Sequence, residues 1–304
     1  MKAVICESYG EPNVLKLKDI EKPIPKPNEI LIRIRATAVN SADVRVRGLQ
    51  VSGIKRILMY LVLGLTKPRK KILGVVLSGV VEEVGNNVQT FKKGDEVFGM
   101  TGFQFGTYAE YISLKEKSAV CLKPKNANFQ EAASIIFGGS TAYYFLKKAK
   151  IEELPKKVLI YGATGSVGIS AIQIANYFGA DVSAVCGTNG IGLVKSLGVK
   201  SVYDYNSDWI HSMQDRFDVI FDAVGKLSQK QCEGILRPGG KFFTVEGWDT
   251  ANETIEQLEF LKELFENGKL KAMIDRVYKL DQIVEAHTYV DTGRKKGNVI
   301  IEID

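Results

Sequence analysis

At 304 residues the chain can hold two domains or one large one, and its 45% hydrophobic and 25% charged side chains suit a soluble globular protein. A net charge of +6, thinly spread, fits an anionic cofactor but argues against nucleic-acid binding, which needs clustered Lys and Arg. No stretch reaches the roughly 18 consecutive apolar residues of a membrane-spanning helix.

The first five residues, Met1-Lys2-Ala3-Val4-Ile5, read as the start of a strand rather than a signal peptide. Residues 15–20 alternate with period two. Lys22-Pro23-Ile24-Pro25-Lys26-Pro27 cannot continue a ladder and reads as an extended connection. Residues 29–39 alternate again, with Ile30, Ile32 and Ile34 on one face and Leu31, Arg33 and Arg35 on the other. Asn40-Ser41-Ala42-Asp43 is a natural helix N-cap. Residues 55–65 form an apolar stretch followed by a basic knot, Lys67-Pro68-Arg69-Lys70-Lys71. This reads either as a membrane-surface contact or, by preference, as a lid over a hydrophobic pocket.

Residues 74–84, 95–99 and 106–113 read as further strands joined by glycine turns. So many short strands imply a small antiparallel barrel or sandwich. After Pro124 the texture changes. Two helices are expected, one opened by Asn128-Phe129-Gln130-Glu131 and one over residues 140–148. From Val158 onward strands alternate with helices, at residues 158–161, 182–186, 201–204, 219–223 and 241–245, which implies a parallel sheet with right-handed crossovers. A long amphipathic helix over 254–267 ends at Gly268, and the last strand, 298–303, looks like a return to the first domain. The cysteines Cys6, Cys121, Cys186 and Cys232 are far apart with no C-x-x-C spacing, so free thiols and a reducing, cytoplasmic setting are expected.

The most informative stretch is residues 157–179. A short apolar strand leads into Gly162-Ala163-Thr164-Gly165-Ser166-Val167-Gly168 and then into a helix apolar on nearly every face. Glycines let the backbone turn sharply and approach a pyrophosphate, and the helix start offers N–H groups and a positive dipole end. Ala163 replaces the first glycine of the usual G-x-G-x-x-G.

With these motifs in place the chain resembles the medium-chain dehydrogenase/reductase superfamily, and within it the zinc-free quinone oxidoreductase branch. The phrases that carry the resemblance are Ala38-Val39-Asn40-Ser41-Ala42-Asp43, Lys93-Gly94-Asp95-Glu96-Val97-Phe98-Gly99, Gly106-Thr107-Tyr108-Ala109-Glu110-Tyr111, Glu131-Ala132-Ala133, Ser140-Thr141-Ala142, the glycine turn, and Phe221-Asp222-Ala223-Val224-Gly225. The resemblance implies an α/β protein: a GroES-like β-barrel catalytic domain, residues 1–123 plus 271–304, and a Rossmann doubly wound parallel sheet over 124–270. It implies NAD(P)H-dependent reduction of a quinone, enone or related activated carbonyl. Zinc-dependent relatives carry a cysteine just after the Asn40 position and a Gly-His-Glu where this chain has Gly74-Val75-Val76, so no metal is expected.

By resemblance, Asn40 and Thr141 lie close to the nicotinamide and Ala223 and Val224 border it. The turn from Gly162 through Ala163, Thr164, Gly165, Ser166 and Val167 to Gly168 holds the phosphates. The end of the second strand, Cys186-Gly187-Thr188-Asn189, carries no acid, which tilts the reading from NADH toward NADPH. Tyr205 matches the tyrosine that holds the 2′-phosphate in relatives, and Lys195 is a substitute for the missing basic residue. Asn40 and Asp43 are the catalytic candidates, with Tyr111 a further pocket candidate. For Asp43, helix capping competes with catalysis. Few residues separate Val245 from the next helix, so the final strand is expected to be shortened or missing. That leaves a five-stranded sheet and a monomer or atypical dimer. The competing function is a non-catalytic NADP(H)-binding protein of the same fold, acting at a membrane surface.

Overall fold

The computed structural model describes residues 1–49, 63–65, 67–153, 156–246, 249, 251 and 254–304. The chain divides into two compact units. The first comprises Met1–Ile136, Glu253–Glu266 and Ile274–Asp304, and the second comprises Phe137–Asn252 and Asn267–Met273.

In the first unit β1 (Lys2–Cys6) and β2 (Leu15–Asp19) pair as an antiparallel ribbon. The spine is β3 (Glu29–Val39), whose residues are almost all buried. One edge of β3 pairs with β4 (Val76–Val84), which continues to β5 (Glu96–Met100) and β7 (Val120–Leu122). The other edge is shared: Glu29–Arg33 pairs with β6 (Tyr111–Lys115), and Ala36–Val39 pairs with β14 (Asn298–Glu302). The chain's last strand therefore does return to the first unit. It pairs in parallel with β13 (Ile274–Lys279), while the other ladders of this sheet are antiparallel. Breaks in the β3 ladder between Leu31 and Ile32 and between Ile34 and Ala36 bend it enough to serve three partners.

Two sequence expectations need correction here. Residues 106–110 are not strand. Gly106, at φ 102, turns the chain, and the segment crosses β1 instead, with Val4 N–H donating to Tyr108 O at 2.8 Å. Strand β4 starts at Val76 rather than Gly74. Gly74 has φ 86, and a Cβ there would lie 2.3 Å from Thr107 Oγ1, so glycine permits the close approach of the two segments.

In the second unit β8 (Lys157–Tyr161), β9 (Asp181–Cys186), β10 (Ser201–Asp204), β11 (Phe217–Asp222) and β12 (Leu236–Thr244) form a five-stranded, wholly parallel sheet in the order β10-β9-β8-β11-β12. The order reverses at β8, which places the ligand crevice beyond the carboxyl ends of β8, β9 and β11. The sheet ends at β12 among the described residues, as the short segment after Val245 suggests.

The helices are α1 (Ser41–Gly48), α2 (Phe129–Lys148), α3 (Ser166–Tyr177), α4 (Ile191–Ser196), α5 (Gln229–Cys232), α6 (Ile255–Glu266) and α7 (Ile283–Asp291). The two helices expected over 128–148 are one continuous α2. Gly138 and Gly139 do not break it, because Gly138 serves packing: a Cβ there would lie 2.4 Å from the backbone oxygen of Ser166. Helix α6 packs against β7 and belongs to the first unit, whereas the sequence reading assigned its residues to the Rossmann domain. Most of the apolar stretch 55–65 lies outside the described residues.

Replacing Gly138 by alanine tests this packing. Helix propensity alone favours alanine by roughly 1 kcal/mol. The contact with Ser166 reverses the sign, and a net loss of about 1–3 kcal/mol in urea unfolding is expected. Equal or greater stability would contradict the contact.

Candidate active site

The glycine turn follows β8 directly. Gly162, at φ 78, and Ala163 both donate their N–H to Val185 O, at 3.0 and 3.1 Å, which ties the turn to β9. Gly165 is the N-cap of α3 and contributes no side-chain cap. The first-turn N–H groups, at Ser166, Val167 and Gly168, have no carbonyl four residues earlier in the helix to bond, as at any helix start. They present a positive end suited to a phosphate. A Cβ at Gly165 would meet nothing closer than Gly162 O at 3.6 Å, so the space above the turn is open. Below it the fit is tight: a Cβ at Gly168 would lie 2.3 Å from Gly162 O. Thr141 sits one helical turn beyond Gly138 on α2, on the face turned toward the start of α3.

The far wall of the turn is set by Asp222, at the end of β11 and fully buried. Its carboxylate accepts the N–H groups of Val224 (3.1 Å), Gly225 (2.9 Å) and Leu227 (2.8 Å) and the Thr244 hydroxyl (3.2 Å). Ala223 and Val224 are thereby fixed beside the cradle. A Cβ at Gly162 would strike Val224 Cγ2 at 2.0 Å. Sequence reading chose Ala223 and Val224 but missed Asp222, the residue that holds them.

At the end of β9 the Tyr205 phenol lies against Gly187, 2.8 Å from where a Cβ would stand, and its side chain is half exposed. Thr188 and Asn189 open a short 3-10 turn beside it. One inference needs correction. A carboxylate does stand here, supplied by the neighbouring strand. Parallel pairing sets Asp204 of β10 opposite Cys186, and the Thr188 hydroxyl donates to Asp204 Oδ2. Asn206 donates both its backbone N–H and its side-chain amide to Asp204 Oδ1, each at 2.9 Å. These donors, Thr188 first, hold the Asp204 carboxyl below its usual range. The parallel register of the second and third strands was the signal that could have revealed it. Lys195 is exposed in the last turn of α4, where Asn176 bonds Leu197 O at 3.0 Å, and no hydrogen bond or ion pair joins it to Thr188 or Tyr205.

In the first unit Asn40 and Asp43 form a reciprocal capping box on α1. Asn40 Oδ1 accepts the N–H of Ala42 (3.1 Å) and Asp43 (3.4 Å), and Asn40 N–H donates to Asp43 Oδ2 (3.0 Å). The capping role of Asp43 is thus seen directly, and the side chain is fully buried. Asn40 Nδ2 is buried with no partner. Around this pair lies a buried polar cluster that the sequence did not announce. His287 Nε2 meets the Tyr108 hydroxyl at 3.2 Å, and Arg47 Nη2 donates to Asp291 Oδ2 at 2.7 Å. Asp43 Oδ1, Arg47 Nε and Nη1, and His287 Nδ1 have no partner. Burial pushes Asp43 from 3.8 up to about 7. The Tyr108 hydroxyl and Gly74 N–H favour its charged form without reaching hydrogen-bond geometry. Burial, then the Arg47 charge, pushes His287 from 6.5 down to about 3. Tyr111 is half-buried on β6, with Lys22 Nζ 4.2 Å from its ring centre.

Comparison with known proteins agrees with this architecture. Residues 26–125 match the alcohol dehydrogenase GroES-like domain and residues 166–274 match the zinc-binding dehydrogenase family. The chain is 35% identical to 2-methylene-furan-3-one reductase of Solanum lycopersicum, over 99% of this chain and 79% of that protein. It is 30% identical to the chloroplastic NADPH-dependent alkenal/one oxidoreductase of Arabidopsis thaliana, with the same two coverages. The quinone oxidoreductase structure from Coxiella burnetii superposes with a TM-score of 0.88 at 28% identity, over 100% of this chain and 99% of that one.

The chain belongs to the medium-chain dehydrogenase/reductase superfamily. It is an oxidoreductase of the quinone oxidoreductase-like branch and works with a nicotinamide cofactor. Many members of this superfamily are named for zinc, and the donor set here does not fit it. Ser41 stands where the cysteine ligand would be, and Val75 and Val76 replace the histidine and glutamate. No group of three His, Cys, Asp or Glu side chains converges among the described residues. The four thiols are buried, and burial raises Cys6 and Cys232 to about 11. No described helix is long and apolar enough to cross a membrane.

The raised Asp43 carboxyl has a measurable consequence. The folded chain holds a proton that the unfolded chain releases above about pH 4, so this stabilisation is complete below that point and is lost as pH rises through about 7. His287 acts in the opposite sense: its contribution is present above about 6.5 and fades as pH falls toward about 3. Calorimetry should show Asp43→Asn losing less Tm than the parent as pH rises from about 4.5 to about 7, with His287 common to both proteins. The same slope in both proteins would refute the assignment.

Proposed function

We propose that this enzyme is a zinc-independent, NADPH-dependent reductase of quinones, enones or related activated carbonyls. The observation that carries the reading is Asn40 Nδ2, a buried donor with no protein partner, at a position where zinc ligands are replaced by Ser41, Val75 and Val76. Leaving such a donor unpaired costs about 1–3 kcal/mol, which a carbonyl oxygen of substrate or cofactor offsets on binding.

When bound, the reduced nicotinamide supplies a hydride. The open N-terminus of α3 and the glycine turn hold the pyrophosphate, and Asp222 fixes Ala223 and Val224 beside it. Asn40 Nδ2 donates to the substrate's carbonyl oxygen and stabilises the negative charge that grows there, the part a metal plays in zinc relatives. The product takes its proton from water. Asp43 positions Asn40 through the capping box. The furan-3-one and the alkenal/one in the names of the two plant relatives support an activated carbonyl substrate. Tyr205 beside Gly187 supports NADPH, since its phenol stands at the ribose end of β9. The sheet that ends at β12 supports a monomer or an atypical dimer.

Two variants test these roles. Asn40→Ser keeps a side-chain oxygen to cap α1 but removes the amide donor. Turnover of a small enone should fall about a hundredfold while Tm changes little. Unchanged kcat would remove Asn40 from the mechanism. Asp204→Asn removes the carboxylate beside Thr188, and the ratio of kcat/KM with NADPH to that with NADH should rise about two- to fivefold. A fall in that ratio would mean that Asp204 does not face the 2′ position.

A further inference from the structure

Within the first unit lies a cavity of about 230 Å³ that the cofactor cradle does not use. Its floor is apolar: Val46 of α1, Leu63, Leu73 and Phe105, all buried. Its rim is cationic, formed by the exposed side chains of Arg69 and Lys70. Neither meets a carboxylate within salt-bridge distance among the described residues. Lys67 and Lys71, also exposed, flank them in sequence. Phe103 stands 74% exposed at the edge, stacked edge-on against Phe105 with ring centres 6.5 Å apart.

The backbone around the cavity is held in costly shapes. Phe105 sits at φ 54, a region a bulky side chain rarely adopts. Its ring is thereby turned into the cavity wall. The opposite segment is pinned by Tyr9, whose hydroxyl donates to Gly64 O at 2.9 Å, by Arg69 N–H on Leu63 O at 2.6 Å, and by Lys71 O, which accepts Cys6 N–H at 2.7 Å. An apolar hollow walled by anchored backbone and rimmed by two cations without a carboxylate partner among the described residues is complementary to one kind of small molecule. That molecule has a hydrocarbon part and an anionic end.

We propose that this cavity binds a medium-length hydrocarbon chain whose carboxylate or phosphate group is held by Arg69 and Lys70, and that the enzyme's substrates are activated carbonyl compounds carrying such a chain. The size agrees. An apolar cavity of roughly 150 Å³ accepts a benzene, so this one accommodates about nine heavy atoms. The position agrees as well. Val46 lies six residues along α1 from Asn40, about 9 Å of helix, within the span of such a chain. The second half of the proposal rests on the carbonyl-reductase reading; the cavity's ligand class does not.

The test uses probes with nothing to reduce. Binding of decanoate, decyl phosphate, decanol, decyltrimethylammonium and butanoate to the full chain is measured by calorimetry, without and with NADPH. Decanoate or decyl phosphate should bind at least about tenfold tighter than decanol or butanoate, and the better of the two identifies the headgroup. The cationic probe should bind weakest. Arg69→Gln with Lys70→Gln should bring the anionic probe down to the level of decanol. Val46→Phe, which fills the floor, should weaken decanoate and decanol alike. The proposal is overturned if decanoate binds no tighter than butanoate, or if the double variant leaves its affinity unchanged. Charge-dependent binding to anionic phospholipid vesicles without binding of the free probes would also overturn it, because that result marks a membrane-docking patch. Two further outcomes separate the layers. Probe binding as described, with no NADPH oxidation by any enone or quinone, keeps the cavity and removes the reductase reading. NADPH oxidation by a small enone without probe binding does the reverse.

Discussion

The close approach of backbone to backbone at the end of β8 is the constraint on which the second unit depends. Helix α3 lies so near the turn that Gly168 has no room for a Cβ against Gly162 O, and α2 lies so near α3 that Gly138 has none against Ser166 O. Val224 closes over Gly162 from the other side. These contacts fix the first turn of α3 beside the open space above Gly165. Asp222 completes the arrangement. A buried carboxylate is costly unless paired, and this one is satisfied by three backbone N–H groups and a hydroxyl. Its burial therefore converts a flexible loop into a fixed wall.

The first unit presents the opposite case. Among the described residues, five of the six buried side-chain atoms that lack a hydrogen bond belong to Asn40, Asp43, Arg47 and His287. Natural chains satisfy buried polar groups, and departures concentrate where function requires them. Arg47 and Asn40 both leave donors unpaired, and the Asn40 donor stands at the capped start of α1, which is why the proposed function gives it the electrostatic role. Its capping partner Asp43 lies near Tyr108, which meets His287 and feels the charge of Arg47, itself paired with Asp291, in a medium of low polarity where such interactions are strong.

The parts of the fold that follow from local pattern were legible. The alternation over residues 29–39 gives the bounds of β3, and the strand–turn–helix around Gly162 gives the cradle. The short stretch after Val245 gives a sheet of five strands. What was not legible came from contacts distant in sequence. The sequence predicts two helices where α2 is continuous, and the close approach of Gly138 to the Ser166 backbone is a contact that local pattern does not show. The acid beside the end of β9 comes from the next strand over, so a search along residues 184–189 alone misses Asp204. His287 reads as an isolated histidine until α7 folds it against Tyr108. Asp43 was legible as a cap, but nothing local shows that its carboxyl is fully buried.

The proposed function, reduction of an activated carbonyl without a metal, is what would set this site apart from the zinc dehydrogenases of the same superfamily. The most direct measurement is steady-state oxidation of NADPH by a small enone and a quinone, using protein dialysed against a strong chelator with its metal content determined. An undiminished rate in metal-free protein, with one NADPH consumed per enone reduced, is the result expected. Activity that disappears with the metal and returns on adding zinc would contradict it.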